Sequence, residues 1–103
     1  MKRIEVVIRP FELRDVRARL AALGVGGLTV GEVMGVGPNG DAEVRGTPTV
    51  QLLLVVSDAC VTDAVEAIRN GARVGGVTEG RIVVTSVMEA VRVRTGERGQ
   101  SAI

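Results

Sequence analysis

Two short stretches of the sequence carry residue types that could bind an anion, and the first is a glycine-rich segment. It spans residues 75–81 and reads GGVTEGR, so three glycines precede Arg81. Glycines let backbone N–H groups approach an anion closely, and an adjacent guanidinium would complete the site. An isolated glycine loop is a weak motif, so an ordinary turn between a helix and a strand is the alternative.

The second stretch contains Arg92 and Arg94, which lie two residues apart in the sequence RVRTGE. The pattern predicts an extended segment over residues 88–94, in which a period of two places both side chains on one face. Two adjacent guanidiniums repel each other unless an anion or carboxylates lie between them, and phosphate matches the planar fork of arginine. The alternative is a solvent-exposed edge strand with Glu97 as the partner.

The composition lacks the residues that most catalytic and metal sites use. The chain has no His, Trp or Tyr, and it has one Cys and one Phe. Cys60 alone forms no internal disulfide and, without His, leaves no zinc site of the usual composition. We expect Cys60 to be a small core or surface residue rather than a redox switch. Glu79 alone is weak support for acid–base catalysis near the glycine-rich segment. We therefore expect no enzyme activity, no metal site and no covalently bound cofactor.

Length and charge set the broad class of the protein. A chain of 103 residues is one domain, and 46% hydrophobic with 1% aromatic residues predicts an aliphatic core. The formal net charge of +1, from 13 basic and 12 acidic residues, gives no general attraction for nucleic acid. No apolar run approaches the roughly 18 residues of a membrane span, and the first residues resemble a charged strand rather than a signal peptide. We expect a cytoplasmic protein that is not itself a membrane protein.

Hydrophobic spacing predicts four strands and two helices that would position these segments. Ser57 or Asp58 could cap the second helix, and Asn70 and Gly71 are expected to weaken its last turn. The strands are expected at about residues 2–8, 28–34, 48–56 and 81–87, and the helices at about residues 12–23 and 57–72. The positions expected to face the core are Leu13, Val16, Leu20 and Leu23 in the first helix and Val61, Ala64, Val65, Ile68 and Ala72 in the second.

The order βαββαβ predicts an α+β, ferredoxin-like sandwich. Helices would cover one face of an antiparallel sheet. The other face would carry aliphatic side chains that a lone domain leaves exposed, so we expect self-association. Gly, Pro, Asn and Asp dominate residues 35–47, GVGPNGDAEVRGT, which predicts a loop between the second and third strands. This loop could bind a partner protein, or it could be a plain connection.

Taken together, these segments resemble the PII signal-transduction proteins over nearly the whole chain. The strongest similarity lies in residues 1–35 and 81–103, and the run RVRTGE with a terminal SAI is specific. The resemblance implies a single PII-like domain over residues 1–103 that forms a homotrimer around a central sheet barrel. Nucleotide sites would lie in the clefts between neighbouring subunits.

The resemblance also implies roles for individual segments and residues. A flexible T-loop at about residues 36–47 would dock on partner proteins, next to a glycine phosphate loop at about 74–81 and a C-terminal segment at 92–103. Family members sense ATP against ADP, many also sense 2-oxoglutarate through magnesium held by ATP, and they are regulators rather than enzymes. The residues that match nucleotide-binding positions are Thr29, Gly35, Gly80, Arg81, Arg92 and Arg94. Those of the partner-binding loop are Gly37, Pro38, Asn39, Gly40, Asp41, Glu43 and Arg45.

The chain departs from the family pattern at several of these positions. The family phosphate loop usually reads TGKIGDGK, whereas residues 74–81 read VGGVTEGR, with Gly76 in place of a lysine and Thr78 in place of a glycine. Pro38 and Asn39 replace an arginine and the glutamine that ligates magnesium in the 2-oxoglutarate complex. The T-loop is several residues shorter and has no tyrosine. The stretch VQLL beyond it has no evident counterpart of the lysine that pairs with 2-oxoglutarate.

These departures predict a divergent PII-like protein that binds ADP or AMP in preference to ATP and does not respond to 2-oxoglutarate. Divergent members also occur beside inorganic-carbon uptake and carboxysome genes, where bicarbonate can be a second ligand. The expected partner is a membrane transporter or a metabolic enzyme. The alternatives are a conventional nitrogen-regulatory protein that responds to ATP and 2-oxoglutarate, and a trimeric adaptor that needs no nucleotide. A small phosphatase or a metal-binding relative of the same fold fits the composition less well.

Overall fold

The structure, a computed structural model, describes residues 1–34, 49–72 and 81–103. The predicted order βαββαβ is confirmed in these ranges, and the element ends differ from the predicted ones by a few residues. The elements are β1 (Lys2–Ile8), a 3-10 turn (Pro10–Glu12), α1 (Leu13–Ala22), β2 (Thr29–Val33), β3 (Thr49–Val56), a 3-10 turn (Asp58–Cys60), α2 (Val61–Ala72), β4 (Val83–Ser86) and a 3-10 turn (Gly99–Ala102).

The described strands form an antiparallel sheet in the order β2-β3-β1-β4. Glu5 of β1 pairs with Leu53 of β3 on one side and with Val83 of β4 on the other. Thr29 of β2 pairs with Leu53 from the far side of β3. The first and third strands are therefore central, and each is followed by a helical segment, which is the ferredoxin-like arrangement that the sequence predicts.

The core lies between one face of this sheet and the two helices. Alternate residues of β1 and β3 are buried because successive side chains of a strand point to opposite faces. Fully burying one Val, Leu or Ile side chain contributes about 1.5–3 kcal/mol to stability. The prediction of an aliphatic core is confirmed, and its buried apolar residues are Ile4, Val6, Ile8, Val16, Leu20, Val50, Leu52, Leu54, Val56, Ala64, Ala67 and Ile68.

The two helix faces follow the predicted spacing with a few exceptions. Leu23, predicted to be buried, is 39% exposed, because α1 ends at Ala22. On α2, Ala67 and Gly71 are buried although the predicted stripe omits them. Three positions of the predicted stripe are only partly buried at the edge of the core, namely Val61, Val65 and Ala72.

The predicted side-chain cap at the start of the second helical segment is wrong. Ser57 precedes the 3-10 turn that leads into α2, and its side chain makes no capping hydrogen bond. Asp58 Oδ1 instead accepts a hydrogen bond from the N-terminal amine of Met1 at 2.9 Å. The hydrogen bond and the charge of that amine lower the pKa of the Asp58 carboxyl. The start of β1 is thereby joined to the start of the helical segment after β3.

The sheet face opposite the helices carries aliphatic side chains, as predicted. Val7, Leu53 and Val55 are half-buried there, and Val83 of β4 is 46% exposed. A polar cluster that the sequence did not predict interrupts this surface. Among residues 1–34, 49–72 and 81–103, no helix is long and apolar enough to cross a membrane.

The polar cluster on the open face of the sheet is centred on Glu5. Arg3 Nη1 lies 3.1 Å from Glu5 Oε2, and Gln51 Nε2 donates a hydrogen bond to Glu5 Oε1. All three residues occupy odd positions of central strands, so the strand period places them on the face away from the helices. This face is therefore mixed in polarity rather than uniformly aliphatic.

Candidate functional site

A cavity of about 850 Å³ opens between the loop after α1, the end of β3 and the C-terminal segment. Arg92 is the cationic residue among those that line it, and three of the lining residues are glycines of the loop after α1. An open cavity with a cation and exposed backbone is suited to a small anionic ligand. Its lining residues are Leu23, Gly24, Val25, Gly26, Gly27, Val55, Val56, Ser57, Cys60, Ala90, Arg92, Gln100, Ala102 and Ile103.

The loop after α1 brings Gly26 and Gly27 to the wall of this cavity. Gly24 has a φ of +83°, a left-handed conformation that glycine adopts without a steric penalty. The backbone N–H of Gly24 donates to the carbonyl of Ala21 at 3.0 Å, and the N–H of Val25 donates to the carbonyl of Leu20 at 3.2 Å. This Schellman pattern satisfies the last carbonyls of the helix and turns the chain sharply towards the cavity.

Arg92 lies at the start of a tight turn, so the predicted extended segment over residues 88–94 is wrong from residue 93 onward, although Val91 forms an antiparallel bridge with Arg98. The N–H of Arg92 donates to the carbonyl of Glu97 at 2.8 Å, and its carbonyl accepts from the N–H of Gly96 at 2.8 Å. The residues between them form the turn. The argument that a period of two places Arg92 and Arg94 on one face therefore loses its basis, because Gly96, with a φ of +76°, permits a reversal that strand periodicity does not reveal.

The side chain of Arg92 faces a carboxylate, which the alternative interpretation of the sequence anticipated. Its Nη1 lies 3.8 Å from Glu97 Oε1, and the two side chains are 45% and 46% exposed. The same carboxylate oxygen accepts a hydrogen bond from Thr95 Oγ1 at 2.9 Å. A separation of 3.8 Å is too long for a hydrogen bond, so this pair is a charge contact that leaves guanidinium donors available.

Three other predicted nucleotide-site residues lie in the described ranges but do not line the cavity. Thr29 begins β2 and is exposed, Arg81 is exposed just before β4, and Arg94 is exposed in the turn that follows Arg92. Of the predicted cations, the cavity of one chain therefore contains Arg92 alone among the described residues.

Several predicted site residues lie outside the described ranges. They include Gly35 and Gly80, the glycine segment as far as residue 80 and the proposed T-loop at residues 36–47. The partner-binding positions among them are Gly37, Pro38, Asn39, Gly40, Asp41, Glu43 and Arg45. Their assigned roles stay predictions.

Comparison with known proteins decides the family. The family model described as "Nitrogen regulatory protein P-II" matches residues 1–97. The chain belongs to the PII family. It is 43% identical to the nitrogen regulatory protein P-II of Rhodospirillum rubrum and 42% identical to that of Azospirillum brasilense, and each alignment covers 100% of both chains. A solved structure of Arabidopsis thaliana PII bound to citrate superposes with a TM-score of 0.85 at 33% identity, covering 99% of this chain and 91% of that one.

Within this PII fold, sequence reasoning missed part of the cavity wall. The run GVGG after α1 contributes Gly24, Gly26 and Gly27 to that wall, and its glycine density is the sequence signal that could have indicated it. Gln100 and Ile103 reach the cavity because Gly99, with a φ of +68°, redirects the C-terminal segment. No local pattern indicates that contact, because it depends on how the tail folds back.

Arg9, just after β1, is a second cation, and no pattern in the sequence indicates a role for it. Within the described residues its Nη1 is buried without a hydrogen-bond partner. The backbone N–H of Arg9 donates to Glu12 Oε1 at 2.8 Å. Glu12 is buried, with 1% of its surface exposed. Because Ile8 pairs with Val50, Arg9 lies at the end of the sheet where β3 begins.

Proposed function

We propose that this PII protein is a non-enzymatic regulator that binds adenine nucleotides in clefts between the subunits of a homotrimer. The observation that carries the proposal is Arg92, a cationic residue that lines an open cavity together with Gly26 and Gly27. Its single described carboxylate contact, at 3.8 Å, leaves donors for phosphate. The family is one of regulators, which supports regulation rather than catalysis. The described residues that line the cavity include no acid–base pair, which supports the same conclusion.

The distribution of the cations supports a site shared between subunits. Arg81 and Arg94 do not line the cavity that contains Arg92, so a neighbouring chain would have to bring further phosphate donors. Exposed apolar side chains are available for that contact, since Met88 is 99% and Val93 101% exposed. Monomeric proteins rarely leave such side chains uncovered in groups, which supports assembly.

The nucleotide preference rests on the sequence of the glycine segment. Gly76 and Thr78 replace a lysine and a glycine of the family pattern, so the lysine ammonium that would donate to the outermost phosphate is lost and a side chain is added where glycine lets the backbone approach closely. One charge-assisted hydrogen bond is worth about 1.5–3 kcal/mol, and about 1.4 kcal/mol is tenfold in affinity. Losing the lysine contact is enough on this scale to erase a preference for ATP, so ADP and AMP are the proposed ligands.

The physiological setting has two candidates, and different observations favour each. Pro38 and Asn39, in place of an arginine and a magnesium-binding glutamine, favour a protein outside the 2-oxoglutarate circuit, such as one that responds to bicarbonate in inorganic-carbon metabolism. The names of relatives at 40–43% identity favour the alternative of a conventional nitrogen regulator. The citrate named in the Arabidopsis PII structure supports a small carboxylate or similar anion as a second ligand in either case.

The proposed output is binding of a partner protein through the segment between β2 and β3, which contains the residues assigned to the T-loop. A membrane transporter or a metabolic enzyme in the cytoplasm is the partner class that the family supports. Nucleotide bound near the base of this segment would change how much of it is ordered, at about 1–2 kcal/mol for each residue fixed. An adaptor that needs no nucleotide would bind its partner equally well after substitution of Arg92.

Isothermal titration calorimetry with AMP, ADP and ATP tests the proposed function, each ligand measured with and without 2-oxoglutarate or bicarbonate. We expect ADP or AMP to bind more tightly than ATP, with no effect of 2-oxoglutarate. Arg92→Ala should weaken binding at least tenfold, as loss of about 1.4 kcal/mol implies. Arg69→Ala is the matched control, because Arg69 forms an exposed ion pair with Glu66 on α2 and does not line the cavity. Tight ATP binding strengthened by 2-oxoglutarate would establish the conventional regulator instead.

A further inference from the structure

We propose that the negative charge of Glu97, fixed beside the guanidinium of Arg92, lowers the affinity of the cavity for phosphate by repelling it, and so sets which nucleotides this protein retains. The inference rests on the proposed function, because it concerns the same ligand site. It assigns a specificity role to a carboxylate that does not line the cavity itself.

The turn fixes Glu97 next to Arg92 through backbone as well as side-chain contacts. The Arg92 N–H donates to the Glu97 carbonyl at 2.8 Å, which sets the spacing of the two α-carbons. Thr95 Oγ1 donates to Glu97 Oε1 at 2.9 Å, so the carboxylate is held in place without help from the arginine. The turn therefore fixes the position of the Glu97 negative charge.

The side-chain geometry is that of a charge contact rather than a closed ion pair. Arg92 Nη1 and Glu97 Oε1 are 3.8 Å apart, beyond hydrogen-bond distance. The guanidinium can therefore donate to a phosphate without first leaving Glu97. A phosphate bound to Arg92 would then lie within a few ångströms of the carboxylate, and like charges at such distances repel even in water.

The expected size of this repulsion is modest and depends on ligand charge. Two unit charges about 4–6 Å apart in a water-like medium change an equilibrium by roughly three- to tenfold. ADP carries more negative charge than AMP, so Glu97 should disfavour ADP more strongly. Salt screens charges near the surface, so the difference should shrink when ionic strength rises.

The substitution Glu97→Gln separates the charge from the structure of the turn. A glutamine Oε1 still accepts a hydrogen bond from Thr95, so the turn keeps its contact while the negative charge is lost. Glu89→Gln is the matched control, because Glu89 is also exposed, also pairs with an arginine of this segment (Arg98), and does not line the cavity. Both variants remove one negative charge from the same end of the chain.

The experiment is calorimetric titration of the full chain and both variants with ADP and AMP, at about 50 mM and about 500 mM NaCl. We expect Glu97→Gln to bind ADP roughly three- to tenfold more tightly at low salt, with a smaller gain for AMP and a smaller gain at high salt. Glu89→Gln should stay within about twofold of the unsubstituted chain. Thermal melts of each protein establish that the fold is retained.

The outcomes distinguish this inference from the proposed function. If the unsubstituted chain binds ADP and Glu97→Gln binds it no more tightly, the inference is overturned while the proposed function stands. If only Glu97→Gln binds nucleotide, repulsion by the Glu97 carboxylate is supported and the proposed function of the natural chain fails. If neither protein binds ADP or AMP, both are wrong. If Glu89→Gln gains as much ADP affinity as Glu97→Gln, the gain is a general effect of net charge and the specific role of Glu97 is overturned.

Discussion

Gly71 of α2 lies directly against Val16 of α1. A methyl group added at Gly71 would lie 2.7 Å from Val16 Cγ2 and 3.0 Å from both the Cα and the N of Val16. Gly71 and Val16 are both buried, so the contact lies inside the core rather than at its edge. The absence of a side chain at Gly71 is therefore what allows the two helices to pack this closely on the sheet.

The substitution Gly71→Ala should destabilise the protein even though alanine is the better helix former. Helix propensity favours alanine by about 1 kcal/mol, whereas overpacking a core typically costs about 1–3 kcal/mol. Two of the three close atoms belong to backbone, which cannot rotate away, so we expect a net loss of about 1–2 kcal/mol. Chemical denaturation measures this free energy. Asn70→Ala, at the exposed neighbouring position, is the control and should leave stability unchanged or slightly raised.

This contact shows where sequence reasoning ends. The order of strands and helices was predictable because periods of two and 3.6 residues record which side chains face the core. The local pattern gave Gly71 only the role of weakening a helix, since its partner Val16 is 55 positions away in the sequence. In the candidate site, Arg92 was predictable from its chemistry and its resemblance to a family motif. The turn that pairs it with Glu97 was not, because Gly96, with a φ of +76°, breaks the strand period.

The ion pair between the N-terminal amine and Asp58 predicts a specific dependence of stability on pH. The amine lowers the pKa of Asp58 in the folded state. The carboxylate therefore contributes stability above its unfolded pKa, near about 3.9, and that contribution disappears as pH falls through the lower folded value. Asp58→Asn should consequently be less stable than the unsubstituted chain near neutral pH and equally stable in strong acid.

Denaturation of both proteins between about pH 2 and pH 7 measures that difference. The effect should be small, because the Asp58 side chain is 69% exposed and salt screens exposed charges. Asp63→Asn is the control, since Asp63 also lies in the first turn of the helical segment but has no described ion pair. A difference between Asp58→Asn and the unsubstituted chain that stays constant down to pH 2 would contradict the prediction.

Leu52 and Leu53 are adjacent in β3 but point to opposite faces of the sheet. Substitution of Leu52 should therefore affect the stability of the fold, and substitution of Leu53 the assembly of the subunits. Leu52 is fully buried under the helices, and Leu52→Ala should lower the free energy of unfolding by about 2–5 kcal/mol. Leu53 faces the open side, where a neighbouring subunit would pack, so Leu53→Glu should break the assembly while leaving the fold of each chain largely intact.

Light scattering during gel filtration, together with thermal melts, separates these two effects. We expect Leu53→Glu to elute at the mass of one chain and the unsubstituted protein at three times that mass. Leu53→Val keeps the aliphatic surface and is the control. A trimer that persists in Leu53→Glu would show that the subunits do not meet through this face of the sheet.

The helix end at Gly24 links stability to ligand binding. Gly24 adopts a left-handed conformation, and a side chain there meets no atom within 4 Å, so the cost of Gly24→Ala comes from backbone strain alone. That strain is about 1–2 kcal/mol for alanine and less for asparagine, which adopts this conformation more readily.

This turn directs Gly26 and Gly27 to the cavity, so Gly24→Ala should lower stability by about 1 kcal/mol and weaken ADP binding. Gly24→Asn should retain more of the stability and more of the ADP affinity. Gly26→Ala has open space and no left-handed φ, and is the control for stability. Equal losses in Gly24→Ala and Gly24→Asn would show that the left-handed backbone is not what positions this wall of the cavity.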